Sequence, residues 1–353
     1  MIPHSRPSID EEDLRAIAEV VRSGQIAQGP YVERFEVAMA GLFGLQGGVA
    51  ISSGTAALEL SLRALRIGAG DEVIMPSYVC QAPWLATQRV GAEARLVDID
   101  LQTFNIDPVA ASRAVTNKTR AIIVPHLFGL PADLTALEKL GVPLIEDCAQ
   151  TLGVTEQGRP IGTVGRLTVC SFYATKLLCA GEGGMVLSND GESLDRVRSL
   201  REYDGAPTLD PSSFNLKMTD LQAALGLSQL ERLQAFQERR RFLAETYREA
   251  LSSKAAFLPS VSPGRTHGYY RFVIRLPQFK TAPDGLLGLM SALEQQGVHC
   301  RKPVFRPLHL YLHQSGFPNS DEADRTALSI PLYPDLTDDE VQQIHQSLRK
   351  VLS

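Results

Sequence analysis

Seven short apolar runs recur through the first 190 residues, and they constrain the fold more than any other feature of the chain. They are GVAIS (48–52), EVIMP (72–76), ARLVDI (94–99), RAIIVPH (120–126), PLIED (143–147), LTVCSFY (167–173) and GMVLSN (184–189). Each is nearly continuous in Val, Ile and Leu instead of alternating with polar residues, the pattern of strands buried on both faces. Helical stretches lie between them. The first, LRAIAEVVRS, follows a capping box beginning at Ser8 (Ser8-Ile9-Asp10-Glu11) and stops at Gly24; a second spans residues 33–43. Strands alternating with helices predict an α/β fold, a mostly parallel central sheet wrapped by helices.

The texture changes after about residue 215. One long helix is predicted from Thr219 to about Ser252, with Leu221, Leu225, Leu230, Leu233 and Phe236 on one face. Its middle, QERRR (237–241), reads as a solvated side. A strand (YYRFVIRL, 269–276), a helix (284–296), a strand near 298–304 and a closing helix (337–351) complete a smaller α/β unit. The 353 residues thus divide into a large domain, 1–218, and a long connecting helix with a small C-terminal domain, 219–353. Two domains also suit a chain of this length at about 150 residues each.

Charge and composition remove several classes of function. Lys and Arg number 35 against 40 Asp and Glu, a net −5 that leaves no electrostatic footprint for nucleic acid. No stretch approaches the ~18 uncharged apolar residues of a membrane span. The opening MIPHSRPSIDEED has neither the apolar core nor the cleavage site of a signal peptide. Cys80, Cys148, Cys170, Cys179 and Cys300 are scattered without CxxC or metal-ligand spacing. They read as reduced thiols, most of them buried, in a cytoplasmic small-molecule enzyme with no metal site.

Three features carry chemistry. Ser53-Gly54-Thr55 stands between a strand and a helix, where free N–H groups and hydroxyls suit a phosphate, or form an ordinary N-cap. Asp147 ends the strand PLIED, where open α/β sheets place ligands. A carboxylate there can hold a pyridinium nitrogen protonated, cap a helix or bind a metal; Glu146, its neighbour, points the other way by strand alternation. Lys176 follows another strand in CSFYATKLLCAGEGG, the only charge for many residues on its N-terminal side. It is either a surface charge or an amine poised to form a Schiff base. Together and in this order, a hydroxyl-flanked Gly-Thr, a strand Asp and Ser-x-x-x-x-Lys are the equipment for pyridoxal 5′-phosphate.

Across nearly its whole length the chain resembles the DegT/StrS (DegT-DnrJ-EryC-StrS) family of sugar aminotransferases. The resemblance runs through SGQIAQGPYVERFE (23–36), SSGTAALEL (52–60), GDEVIMPSY (70–78), PHLFGLPADL (125–134), IEDCAQ (145–150), SFYATKLLCAGEGG (171–184) and FNLKMTDLQAALGLSQL (214–230). It continues in PLHL (307–310) and SIPLYPDLTDDEV (329–341). It implies the fold type I, aspartate-aminotransferase-like architecture of pyridoxal-phosphate enzymes. By that likeness Lys176 is the Schiff-base lysine and proton shuttle, and Asp147 pairs with the pyridine nitrogen. Gln150 sits against the ring; Gly54, Thr55 and Ser171 bind the phosphate with Ser53 beside them. Asn215 reaches the phosphate of a neighbouring subunit's cofactor, so the likeness implies a homodimer with shared active sites. Lysine at 176, where a dehydratase branch has His, implies transamination, from an amino-acid donor such as L-glutamate to a nucleotide-linked keto-sugar.

Departures from the family pattern gather where a substrate would be read. Val79-Cys80 replaces the usual Thr-aromatic pair, so Cys80 is expected beside the cofactor ring, unless Tyr78 or Trp84 takes that place. Thr151-Leu152 replaces Ala-His, Lys217 the usual Arg, and Val304-Phe305 the usual His-Tyr. Tyr78, Lys217, Arg306 and His309 are the substrate candidates, with Arg201, Arg301 and Lys302 further cations that could hold phosphate. A non-nucleotide keto-sugar or cyclitol is the alternative substrate. A non-catalytic regulatory member of the same fold is the rival that retention of Lys176, Asp147 and Gln150 opposes.

Overall fold

All seven apolar runs pair into one sheet. The computed structural model describes residues 1–204, 210–251, 256–281 and 285–352. The predicted helix limits at Ser252 and Asp284 lie outside the described residues, as does Ser353. The strands are β1 (Gly47–Ile51), β2 (Glu72–Pro76), β3 (Glu93–Val97), β4 (Thr119–Pro125), β5 (Leu144–Asp147), β8 (Leu167–Ser171) and β9 (Gly184–Ser188), with the two-residue strands β6 (Thr155–Glu156) and β7 (Arg159–Pro160) pairing separately. The order is β1-β9-β8-β5-β4-β2-β3. Only β9 is reversed: it runs antiparallel to both β1 and β8, while the other pairings are parallel.

Both faces of the sheet are covered, which explains the unbroken apolar runs. Val49, Ile51, Val73, Met75, Ile123 and Val169 enter one core, and their strand neighbours Ala50, Ile74, Ile122, Val124 and Cys170 enter the other. Around the sheet lie α1 (Glu11–Ser23), α2 (Pro30–Phe43), α3 (Gly54–Ala64), α4 (Ala82–Arg89), α5 (Pro108–Ala114), α6 (Leu134–Glu138) and α7 (Gly191–Arg201). Because six strands run one way, their C-terminal ends share one edge, and β1, β5 and β8 deliver Ser53, Asp147 and Ser171 there.

The C-terminal unit has α8 (Asp220–Glu231), α9 (Leu233–Leu251), β10 (Phe272–Arg275), α10 (Gly285–Gln295), α11 (Leu308–Tyr311), α12 (Pro318–Thr326), β11 (Ala327–Ile330) and α13 (Asp338–Leu352). β10 and β11 pair antiparallel. Their core of Phe272, Ile274, Leu328 and Ile330 also takes in Tyr247, Leu293 and Ile344, and the chain's own start, Ile2. Ile2 pairs with Val298, and His4 Nε2 lies 2.8 Å from Ser329 Oγ. The N-terminal strand of chain therefore runs along the C-terminal unit before α1 begins. No helix among the described residues is long and apolar enough to cross a membrane.

Four local expectations need correction. The cap of α1 is Asp10, not Ser8: Asp10 Oδ1 accepts from Glu12 and Asp13, and Asp13 returns the bond to Asp10 N–H. Ser8 instead donates to Asp335. The single long helix is two, broken at Arg232, whose φ of −99° and ψ of 0° leave the helical region and whose guanidinium pairs with Asp10 and Asp13. The QERRR stretch is exposed at Glu238 and Arg241 and half-buried at Arg239, whereas Gln237 donates to Leu152 O and Arg240 is 4% exposed. No strand forms near 298–304; Val298 and Arg301 make single bridges, and Pro303 lacks the N–H a ladder needs.

Candidate active site

The phosphate end of the cleft is built on the N-terminus of α3. Ser53 takes an extended backbone and its Oγ accepts from Ala56 N–H at 3.1 Å, which stops the preceding strand and starts the helix. The first N–H groups of the helix have no partner within it and, with the positive end of the helix dipole, suit an anion. Glycine is required by close approach. A Cβ on Gly54 would stand 2.8 Å from Ser171 Cβ, and one on Gly184 would stand 2.4 Å from the Ser53 carbonyl carbon. Ser53, Gly54, Thr55 and Ser171 thus converge from β1, α3 and β8, held against β9.

At the middle of the edge, Glu146 and Asp147 face opposite ways. Glu146 is fully buried; it accepts from the N–H groups of Gly162 at 2.7 Å, Val164 at 2.8 Å and Gly165 at 2.5 Å, and faces His126 Nε2 at 3.1 Å. His126 Nδ1 accepts from Ala132 N–H, so Nε2 carries the proton that Glu146 accepts. Burial pushes the Glu146 carboxyl up, but His126 and the Gly165 and Gly162 N–H groups outweigh it and hold it below the usual range. With Cys148, these side chains lie within 4.8 Å of one another, yet the carboxylate is already filled by protein donors, which makes it a structural tie.

Asp147 is the reverse case. It is buried, and one hydrogen bond, from Ala149 N–H to Oδ1 at 3.0 Å, meets it from the described residues. Burial pushes its carboxyl up, opposed by that N–H and by the charge of Lys176. A buried carboxylate so sparsely bonded is costly unless a cation joins it. That is the observation against which a pyridoxal cofactor is tested, and it fits: the carboxylate lines the same cleft as Lys176 and the α3 N-terminus.

Lys176 sits on the loop between β8 and β9. Phe172 N–H donates to Gly183 O at 2.9 Å, Ala174 N–H to Gly181 O at 3.0 Å and Ala180 N–H to Phe172 O at 2.8 Å, so the loop is a hairpin stitched at its base. Lys176 N–H donates to Tyr173 O at 2.8 Å, and its Nζ lies 5.2 Å from the centroid of the Tyr270 ring. Tyr270 was not foreseen. It is 94 positions away in sequence from Lys176, inside an ordinary-looking strand pattern, and only the C-terminal unit's docking brings it near.

The remaining predicted residues divide. Gln150 lines the cleft; its Oε1 accepts from Phe128 N–H at 2.8 Å, which leaves the amide NH2 free and helps hold Phe128 at a left-handed φ of 60°. Cys80 also lines it, beside Val79. Its thiol opens into the cleft, and burial pushes it up, partly offset by Ala82 N–H and Lys176. Tyr78 does not line it: the ring is fully buried and stacks on Phe104. Trp84 packs on the core.

Asn215 is exposed and outside the lining of this chain's own cleft. Lys217 faces Glu202 and Asp204, and Arg306 donates to Leu310 O while lying over Tyr311. His309 is 2% exposed, with Nδ1 2.5 Å from Ser77 Oγ and Nε2 3.1 Å from Asp321 Oδ1. Such residue types make hydrolase triads, but Ser77 has no exposed surface, so this chain of bonds ties α11 and α12 to the end of β2. Arg201 is bound to Glu36 and Ala50 O, Arg301 lies against His299, and Lys302 pairs with Asp324.

The cleft has a volume of about 250 Å³, and Tyr173 and Glu182 complete its rim. One end offers N–H groups and hydroxyls for a phosphate, the middle a carboxylate for a ring cation, and the far side an amine. These groups would suit a phosphate-bearing aldehyde with a cationic ring, Lys176 offering the amine that could condense with its carbonyl with loss of water.

Residues 7–349 match the DegT/DnrJ/EryC1/StrS aminotransferase family. The chain is 32% identical to the GDP-perosamine synthase of Vibrio cholerae over 98% of this chain and 97% of that one. Among solved structures it is similar to the aminotransferase TlmJ from Streptoalloteichus hindustanus, with 32% identity, a TM-score of 0.93, and coverage of 100% and 99% of the two chains. It is also similar to Spr1654 from Streptococcus pneumoniae in its PMP form, at 25% identity and a TM-score of 0.92, with 99% and 97% covered.

Proposed function

The chain belongs to the DegT/DnrJ/EryC1/StrS aminotransferase family, and we propose that it moves an amino group from L-glutamate through pyridoxal phosphate to a nucleotide-diphosphate-linked keto-sugar. The observation that carries this reading is convergence. Asp147, Lys176 and the Ser53–Thr55 and Ser171 cradle line one cleft, although 123 positions separate Ser53 from Lys176. The GDP-linked product named for the Vibrio cholerae relative and the PMP form of Spr1654 support the sugar and the cofactor respectively.

Bound there, the cofactor supplies an electron sink for the carbon that gains or loses nitrogen. The protein's share is positional. The α3 N-terminus with Ser53, Thr55 and Ser171 anchors the phosphate and fixes the ring's register. Asp147 holds the ring nitrogen protonated, its buried charge neutralised by doing so. Gln150 offers its free amide protons at the ring edge, and Cys80 and Val79 cover a face where an aromatic would otherwise stand. Lys176 would hold the cofactor through its amine, and when free of it the same Nζ would be the group placed to accept and return a proton. Asn215, exposed and outside the lining of this chain's own cleft, would serve the phosphate of a second copy's cofactor, giving a homodimer with shared sites. Five unpaired cysteines suit a reducing cytoplasm.

The test is spectroscopic and then chemical. The purified enzyme should show a visible band that is absent in Lys176→Ala and bleaches on adding glutamate. A colourless protein would return the chain to a regulatory role. A panel of keto substrates offered to the amine-charged form decides the acceptor, and turnover only with free keto-sugars or cyclitols would reject the nucleotide-linked class.

A further inference from the structure

Lys176 also lines a second, much smaller cavity, which Asp147 does not reach. Thr175, Arg240, Tyr270 and Arg271 line it with Lys176, and the N-terminal residues His4 and Arg6 close it. It contains three arginines besides the lysine and, among the described lining residues, no carboxylate. Something other than an acid must accommodate the lysine ammonium on this side. Tyr270 is placed to do so. Lys176 Nζ lies 5.2 Å from one point of reference, the ring centroid, and the Arg271 guanidinium lies 5.4 Å from the same centroid. Thr175 Oγ1 is 3.4 Å from the phenol oxygen, and the backbone that carries the ring is tied by Arg240 Nη1, which donates to the carbonyls of Tyr269, Tyr270 and Leu332. The Tyr270 residue is 6% exposed.

We propose that Tyr270 is a positioning residue for Lys176, its ring face receiving the ammonium whenever the lysine is free of the cofactor. This rests on the reading of Lys176 as the lysine that carries the cofactor. An aromatic face attracts a cation most where water is excluded, and unlike a carboxylate it does not hold the amine in a short, directional bond. The lysine can therefore rest on the ring and swing back to the cleft. The surrounding charges agree. Burial would raise the phenol, but Lys176, Arg271 and the Thr175 hydroxyl outweigh it and bring it to about 8. The other titratable groups facing the cavity are Arg240, His4, Arg6, Tyr333 and Cys179; burial brings His4 down to about 3 and pushes the Cys179 thiol up to about 11, so neither carries a charge at neutral pH.

The test measures the amine itself. Full-length enzyme loaded with pyridoxamine phosphate is labelled competitively with acetic anhydride at pH 7, and the Lys176 peptide is read by mass spectrometry. Tyr270→Phe keeps the face and should label within about twofold of the parent. Tyr270→Leu removes it and should label roughly three- to tenfold faster, because the ammonium loses its stabilisation. A tetrafluorinated phenylalanine at 270 keeps the shape, cancels the ring's negative face and should behave as leucine does, which covers a leucine variant that fails to fold. Equal labelling in the phenylalanine, leucine and fluorinated proteins would overturn the proposal. Borohydride reduction of each protein loaded with pyridoxal phosphate, followed by peptide mapping, separates this from the underlying reading: cofactor trapped anywhere but Lys176 would overturn that instead.

Discussion

Glu146 and Asp147 are consecutive on β5, and one carboxylate accepts three backbone N–H groups and faces His126 while the other accepts a single N–H. Strand alternation sends them to opposite sides of the sheet, so two identical charges one residue apart have opposite duties. Glu146 fastens the 162–165 loop. Asp147 is left for something outside the chain.

Conservative amides should therefore act in opposite directions. Asp147→Asn should leave the cofactor-free protein as stable as the parent or slightly more so, because a buried and sparsely bonded charge is removed. Its single-turnover transamination should fall roughly 10²- to 10³-fold, the usual scale for deleting one preorganised electrostatic partner. Retention of the full rate would show that the ring nitrogen does not depend on Asp147.

Glu146→Gln should cost about 2–3 kcal/mol in denaturant unfolding at pH 7, since an amide offers one acceptor where three N–H donors converge. The folded carboxyl lies below its ordinary value, so its stabilisation is full above the unfolded value, about 4.3, and is lost as pH falls through the folded one. The stability gap between parent and variant should shrink below about pH 4. A gap constant from pH 7 to pH 3 would refute this account.

Cys80 opens into the cleft while Cys148, Cys170, Cys179 and Cys300 are buried. Iodoacetamide should modify Cys80 alone in the folded protein, slowly at pH 7 because the enclosing walls of the cleft hold the thiol up, and faster at higher pH. Pyridoxal phosphate should protect it. Unprotected modification at the same rate would place the ring elsewhere.

If two copies share their sites as proposed, Asn215→Ala and Lys176→Ala should each be nearly inactive alone. Mixed and reassembled, they should regain activity above the sum of the two, because a heterodimer then holds one site with both residues intact. No recovery, with heterodimers demonstrated by native mass spectrometry, would remove Asn215 from the partner's site.

Arg240→Met should cost about 2–4 kcal/mol, because three carbonyls, two of them buried, lose their donor, and Arg240→Lys should not rescue it. The denaturation midpoint reads this directly. An unchanged midpoint would mean that the α9 contact is dispensable.

The sheet was legible in the sequence because burial on both faces writes an unbroken apolar run, and all seven runs became strands of one sheet. That Ser53 and Gly54 open a helix and that Asp147 and Ser171 end strands was legible from the apolar runs before them, while their roles toward a cofactor were implied by the family resemblance and not by local pattern. What depended on distant partners was not. Arg240 looked like one charge in a charged run, since nothing local says that three carbonyls from other elements surround it. The break at Arg232 follows the pairing with Asp10 and Asp13, more than 200 positions away. Tyr78 and His309 looked available because they are polar, but the core encloses both.

The reversed strand β9 makes the lysine loop a ruler. In a parallel crossover, an extra residue can be absorbed by the helix that follows. Here the chain leaves β8 and returns beside it, clamped at Phe172–Gly183 and again at Ala174–Gly181. A ladder advances in steps of two, so one inserted or deleted residue inverts which way every later side chain points. Only residues 175–180 lie beyond the second clamp. The amine's aim is therefore set by a count of residues, and length variation in such a chain has to be taken up in loops that do not carry the lysine.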